Sequence, residues 1–315
     1  MPNVWAHSIY GEQLLDRLAI RDWLSGRPES AALFRFGCQG PDPLFYHRFY
    51  PWTSKASAAS DRLGGRMHAS RCGPFLRALV SGCAGLAPDD PRVVYALGFL
   101  AHHTLDRVAH KFVFAREGKR RRDHQRLESA LDTLVAERFR GIDTSRVPVA
   151  PTLDAGRRLP APVADLVERS IRATYPDVSE PTLDGLWQTS YRDMLAALRL
   201  FHDPYGVKRA LTGGAIEPFV PGRRAPPDDP ANVRRTPWSP PAEPEKTYRE
   251  TFWDVWERAL TDGERTLGAA AAWIKASAGR SGDEAGGLES AAALWVRFAE
   301  ALGDVSYETG LPADP

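Results

Sequence analysis

The chain has 315 residues, 43% of them hydrophobic and 26% charged, the balance of an ordinary globular fold. Its 41 basic and 40 acidic residues leave a net charge of +1, which excludes binding to nucleic acid or acidic membranes driven by global charge alone. The three cysteines, Cys38, Cys72 and Cys83, are odd in number and lack CxxC spacing, which argues against a disulfide framework and for reduced thiols.

The first residues, MPNVWAHSIYGEQLL, carry no basic leader, no apolar core of signal-peptide length and no cleavage site. Secretion is therefore not expected, and a cytoplasmic protein is. No run of about 18 apolar residues occurs, so no transmembrane segment is expected. The periodicity of EQLLDRLAIRDWL predicts a helix over 12–24, with Leu14, Leu15, Leu18, Ile20 and Leu24 mostly on one face. Residues 60–83 read as helix broken by Gly64, Gly65 and Pro74. PRVVYALGFLAHHTLDRVAHKFVF, 91–114, opens on Pro91 and is apolar almost all round, the pattern of a central helix. Over 123–139, Asp123 is a plausible N-cap, with Leu127, Ala130, Leu131, Leu134 and Val135 as the apolar stripe. Further helices are expected at about 161–174, 181–202, 246–277 and 285–302.

Two segments resist helix. The prolines of 141–162 predict a connecting loop, and 213–246 holds nine prolines with the pairs Arg223–Arg224 and Arg234–Arg235. A loop of that length is either a solvated excursion or a lid beside a site. Strand signals are weak: there is no sustained alternation and no Asn-Gly hairpin turn. The expected architecture is one all-α, multi-helix domain over 1–315, with the proline-rich loop 213–246 inserted before its last two helices.

The chemistry gathers in GFLAHHTLDRVAHKF, 98–112, which holds three of the chain's eight histidines. On a helix, residues four apart share a face, so His102, Asp106 and His110 project to one side. One helix later His124 and Glu128 repeat the spacing. Five ligand-type residues on consecutive helices can face one another, as in carboxylate–histidine metal sites of helix bundles. A lone histidine on an apolar helix is usually a satisfied core residue. Three ionisable groups on one such helix would cost several kcal/mol without partners, and coordination satisfies them together. Upstream stand His7, Asp42 and His68, each weak evidence alone.

In order, His7, Asp42, His68, then HxxxDxxxH, then HxxxE resemble the zinc-dependent phospholipase C family, which is related in fold to single-strand-specific zinc nucleases. The phrases GPDPLFYH, RMH and the closing SYETGLP are similar to those of its cytoplasmic bacterial members. The resemblance is specific over residues 7–128 and loose beyond. It implies a mostly α-helical fold holding three zinc ions. Asp42, His68, His102 and Asp106 would hold one. Asp106 would bridge to a second, completed by His7 and the amino terminus. His110, His124 and Glu128 would hold the third. The family's secreted members use an amino-terminal tryptophan freed by signal cleavage. Here removal of Met1 would expose Pro2, and with Met1 kept, two ions are expected rather than three. His102 rather than His103 fits the family's HxxxD pattern, which leaves His103 in a supporting or core role.

Independently of the family, eight nitrogen and oxygen ligands are too many for one tetrahedral ion and suit two or three; the donor set suits zinc, with iron and manganese as alternatives. Two metals about 3.5–4 Å apart can activate water and clamp a phosphoryl group, so the expected activity is hydrolysis of a small phosphoester. Asp42, in the family reading, orients the attacking water. Phe45, Tyr46, Phe49, Tyr50 and Trp52 follow it and could cage a choline-like cation or stack a base, or belong to the core. His47 lies among them as a ligand support or a polar wall residue, and His202 reads as a helix-end residue. Lys119, Arg120, Arg121 and Arg122 either steer a polyanion or form a solvated loop. The competing readings are a single-strand nuclease of the same fold, a non-catalytic metal-binding helical protein, and an oxidative di-iron enzyme, whose paired ExxH motifs are absent.

Overall fold

A computed structural model describes residues 4–50, 54–120, 122–178, 183–214, 216, 220, 228–279 and 290–314. The fold is all-α: the described residues hold helices and isolated bridges but no strand. Helix α1 spans Val4–Arg17, α2 Ser30–Gly37, α3 Ser54–Ala69, α4 Cys72–Ser81, α5 Pro91–Arg116 and α6 Asp123–Arg140. Then follow α7 at Ala161–Thr174, α8 at Leu186–Phe201, the short α9 at Val207–Leu211, α10 at Phe252–Ala278 and α11 at Ala291–Leu302. No described helix is long and apolar enough to cross a membrane.

Helix α5 is the axis of the molecule. Asp90 caps it by accepting the Arg92 N–H at 2.9 Å, and Pro91 occupies the first turn, where its missing N–H costs nothing. It is buried from Val93 through Asp106 without a break, as the all-round apolar pattern predicts. Helices α2 and α10 pack against it. The α2 contact is made backbone to backbone: a Cβ on Gly37 would fall 2.5 Å from the Tyr95 carbonyl oxygen, and one on Gly98 2.4 Å from that of Phe34. This close approach brings the loop after α2, with Cys38 and Asp42, against the face of α5 that carries His102. All three cysteines are buried and unpaired.

Several boundaries differ from the sequence reading. The first helix starts at Val4, ends at Arg17 and is followed by a separate 3-10 turn, Arg21–Leu24, so His7 lies on a helix. Helix α3 runs straight through Gly64 and Gly65. The break falls instead at Arg71, in left-handed backbone with φ 52°, and Pro74 sits harmlessly in the first turn of α4. Gly64 is a packing position: a Cβ there would lie 3.1 Å from the Phe45 ring. Asp123 is the first residue of α6 rather than its cap, and its carboxylate accepts the Arg120 N–H at 2.8 Å. Helix α10 starts at 252, not 246, because Thr251 and Asp254 form a capping box there, while Tyr248 pairs with Trp238. Helix α2, only eight residues long, has no counterpart among the helices that periodicity predicts.

Within the proline-rich loop, Trp238 is buried and meets the Phe112 ring of α5 edge-on at 5.4 Å. Arg234 pairs with Asp228 and Asp229, and Arg235 with Asp254. Arg223, Arg224, Trp52 and Arg121 lie outside the described residues.

Candidate metal centre

Helix α5 presents His102, Asp106 and His110 one turn apart, a row about 12 Å long at 1.5 Å per residue. Helix α1 brings His7, the turn after α2 brings Asp42, the last turn of α3 brings His68, and α6 brings His124 and Glu128. The eight residues fall into three groups whose ligand atoms lie within 4.8 Å of one another: Asp42, His68 and His102; His7, His102 and Asp106; His110, His124 and Glu128. His102 is common to the first two. Asp106 touches the row on both sides, with an oxygen 2.9 Å from His102 Nε2 and 3.9 Å from His110 Nδ1, and its other oxygen 3.3 Å from His7 Nε2. The resemblance makes Asp106 the bridge between two ions; among the three groups the residue common to two is His102. The amino terminus expected beside His7 lies outside the described residues.

Four of these imidazoles are oriented by a partner on the ring nitrogen that faces away from the groups. His102 Nδ1 stands 3.0 Å from the Cys38 carbonyl, His68 Nδ1 2.7 Å from that of Gly64, and His110 Nδ1 2.9 Å from that of Tyr307. A carbonyl only accepts, so each Nδ1 carries a proton and each ring turns its Nε2 toward the group. His124 Nδ1 is held instead by the Glu117 carboxylate at 2.6 Å. Such backing fixes the tautomer and raises ligand basicity.

Those Nε2 atoms look at carboxylates. His68 Nε2 is 3.2 Å from Asp42, His124 Nε2 3.0 Å and His110 Nε2 3.5 Å from Glu128. Yet His68 Nε2, His102 Nε2, Asp42 Oδ1, Asp106 Oδ2 and both Glu128 oxygens are buried without a hydrogen-bonding partner. Lone pairs facing lone pairs in a buried interior are what a cation between them would stabilise. In the metal-free chain protons take that part. Burial lowers the His110 pKa, but Asp106 and Glu128 outweigh it and lift the group to about 10. Burial raises Glu128, but the two histidines outweigh it and hold it down at about 2. His7 goes the other way: burial and the neighbouring His102 lower it, and the two rings stack with centroids 4.2 Å apart.

The other candidates stand apart. His103 belongs to none of the three groups, and its Nε2 meets the Val305 carbonyl at 2.8 Å. His47 approaches Ser190 at 3.3 Å and belongs to none of the three groups. His202 is the C-cap of α8. Phe45 flanks His68 with ring centroids 5.5 Å apart, and Phe49 stacks on Tyr50 at 4.2 Å. Sequence reasoning missed Asp132, which extends the i, i+4 series of His124 and Glu128 by one more turn; its buried carboxylate accepts the Ala6 N–H of α1 at 2.7 Å. It also missed Glu117 and Tyr307, for which spacing offered no signal.

Comparison of the chain with protein-family models, curated proteins and solved structures gives no match.

Proposed function

We propose that the chain is a metal-dependent phosphoesterase of the phospholipase C type, using two or three zinc ions to hydrolyse a small phosphoester. The observation that carries this reading is the set of buried, unpartnered Nε2 and carboxylate oxygen atoms converging in three groups along α5. The donors are nitrogen and oxygen only, which suits zinc, with iron and manganese fitting less specifically. The resemblance in motif order to the zinc-dependent phospholipases C adds the reaction class.

Asp42, His68 and His102 would hold one ion, His7, His102 and Asp106 a second, and His110, His124 and Glu128 a third. Ions held there supply Lewis acidity toward a phosphoryl oxygen and acidify water at neutral pH. Asp42 is the residue we assign to orienting the attacking water, because its buried carboxylate lies in the group that Phe45 flanks. Phe45 offers an apolar wall beside that group for the organic part of the ester. His102, anchored by Cys38, keeps two groups in register.

The test is elemental analysis of the purified protein together with turnover of chromogenic phosphate mono- and diesters, wild type against Asp106→Asn. The expected outcome is two to three zinc ions per chain, with a metal and most of the turnover lost in the variant. Metal without turnover on any ester favours a non-catalytic metal-binding protein. Iron with redox activity favours an oxidative enzyme. Preferred cleavage of single-stranded nucleic acid favours the nuclease. Full metal content and full rate in Asp106→Asn would remove the assignment of that residue.

A further inference from the structure

Residues 303–314 contain no helix, yet they are tied into the metal centre at several points. Tyr307 is fully buried, its ring packed against those of His103, His68 and His102 with centroids 4.5, 5.2 and 5.7 Å away. Its N–H donates to the His68 carbonyl at 2.9 Å, and the Ser306 hydroxyl donates to the same oxygen at 3.1 Å. That carbonyl belongs to the last turn of α3, where no helical N–H remains to satisfy it. The Tyr307 carbonyl in turn accepts from His110 Nδ1 at 2.9 Å, and the Val305 carbonyl from His103 at 2.8 Å. One extended stretch thus grips α3 through His68 and α5 through His103 and His110.

The stretch is itself held in place. Asp304 accepts the Gly73 N–H at 2.8 Å at the start of α4, and the Arg71 N–H donates to the Asp314 carbonyl at 3.0 Å. Between these anchors the chain turns at Gly310, whose N–H donates to the Ser306 carbonyl at 3.0 Å. Gly310 has φ +62°, and a Cβ on it would fall 2.2 Å from the Arg107 carbonyl oxygen. No other residue closes the turn without lifting the stretch off α5.

We propose that residues 303–314 form a strap whose Tyr307 is the positioning residue for two ligand groups at once, fixing His110 through its carbonyl and His68 through its N–H and ring. The inference rests on the metal-centre reading for its consequence, but its geometry stands apart from metal content. A ligand whose far nitrogen loses its partner gains a second tautomer and a free ring flip, and loss of such a partner typically weakens metal affinity about 10–100-fold. The strap also gives His103 its function: it holds the Val305 carbonyl and so docks the strap on α5.

The test compares wild type, Tyr307→Phe, Tyr307→Ala and Gly310→Ala by zinc titration and by the ring N–H signals of 15N-labelled histidine in metal-free protein. Wild type should show a slowly exchanging Nδ1–H proton on His110, and Tyr307→Phe, which keeps ring and backbone, should keep both that signal and the zinc affinity. Gly310→Ala, which touches no ligand, should lose the protected signal and bind zinc about 10–100-fold more weakly. Tyr307→Ala should weaken zinc at the His68 group. If Gly310→Ala keeps the protected proton and wild-type affinity, the proposal is overturned. If the alanine variants fail to fold, the wild-type spectrum decides, since a rapidly exchanging His110 Nδ1–H there overturns it alone. If wild type binds no zinc but Gly310→Ala still frees His110, the strap stands and the hydrolase reading falls.

Discussion

The carboxylate of Asp132 on α6 accepts the backbone N–H of Ala6 on α1 at 2.7 Å, so the helix that carries His124 and Glu128 caps the helix that carries His7. The first N–H groups of a helix have no partner of their own, and a buried end left so would cost free energy. Here the cap comes from 126 residues away and fixes the approach of α1 to the centre.

Asp132 therefore acts as an acceptor, and its charge is not needed for that. Burial, and then Glu128, push its pKa well above the ordinary carboxylate value. With the folded value raised above the unfolded one, its contribution is complete only below the unfolded pKa and fades as pH rises through the folded value. Asp132→Asn keeps an oxygen acceptor and removes the ionisation, so at pH 7 its metal-free stability should equal or exceed that of wild type. Asp132→Ala should lose about 1–2 kcal/mol, the usual cost of a missing cap. Urea unfolding of chelated protein measures both, and an asparagine variant as unstable as the alanine one would contradict the acceptor role.

Gly40 makes a second handle on the centre. It has φ +52°, and a Cβ on it would fall 2.2 Å from His102 Cδ2 and 2.8 Å from Nε2. Gly40→Ala should therefore push aside the one imidazole shared by two groups. The expected result is loss of zinc from the His7 and His68 groups with retention at His110, His124 and Glu128. Isothermal titration reads this as a drop in stoichiometry, and unchanged stoichiometry would mean that His102 is not a shared ligand.

In the proposed metal centre, protons and metal compete for the third group. Metal-free His110 has its pKa raised to about 10, so at pH 7 a proton must leave before a metal binds. Glu128, held at about 2, has already lost its own. Zinc affinity there should climb about tenfold per pH unit or more between pH 6 and 8, for the His110 proton displaced and for that of His124, whose pKa Glu128 also raises against burial. The metal-free protein should move the opposite way: the His110 contribution is complete below its unfolded pKa and fades as pH rises through the folded value, while that of Glu128 is lost only in acid. The difference in Tm between zinc-loaded and chelated protein should widen from pH 6 to 8. A pH-independent gap would show that His110 is not a ligand.

The groups that converge were legible wherever a helix repeats them. His102, Asp106 and His110, and His124 with Glu128, follow from the four-residue spacing alone, because a helix leaves little freedom about which side chains share a face. His7, Asp42 and His68 had only their order to recommend them, since convergence from three separate elements is a tertiary fact. The boundaries that went astray did so for the same reason: Gly64 reads as a breaker, but its missing Cβ serves the Phe45 contact. What sequence could not show at all is the backbone's share. The carbonyls of Cys38, Gly64 and Tyr307 orient the imidazoles, and every residue type carries a carbonyl.

Glu117 is the one side chain that does what those carbonyls do, with Oε2 2.6 Å from His124 Nδ1. A carboxylate behind a ligand histidine adds basicity that a carbonyl does not, and it is the first residue after α5, where no ligand spacing marks it. Its influence should be confined to one group. Glu117→Gln keeps an acceptor of the same shape without the charge, and Glu117→Ala leaves His124 Nδ1 without its partner. Zinc binding at His110, His124 and Glu128 should weaken in the order wild type, glutamine, alanine, with the alanine variant about 10–100-fold weaker than wild type. The other two groups should hold their metal unchanged, because Glu117 touches none of their imidazoles and those of His68 and His102 are oriented by separate carbonyls. Competition against a chelator of known affinity resolves the weakest ion from the rest. If all ions weaken together in Glu117→Ala, the three groups are one coupled cluster and the separate assignment of the third is wrong.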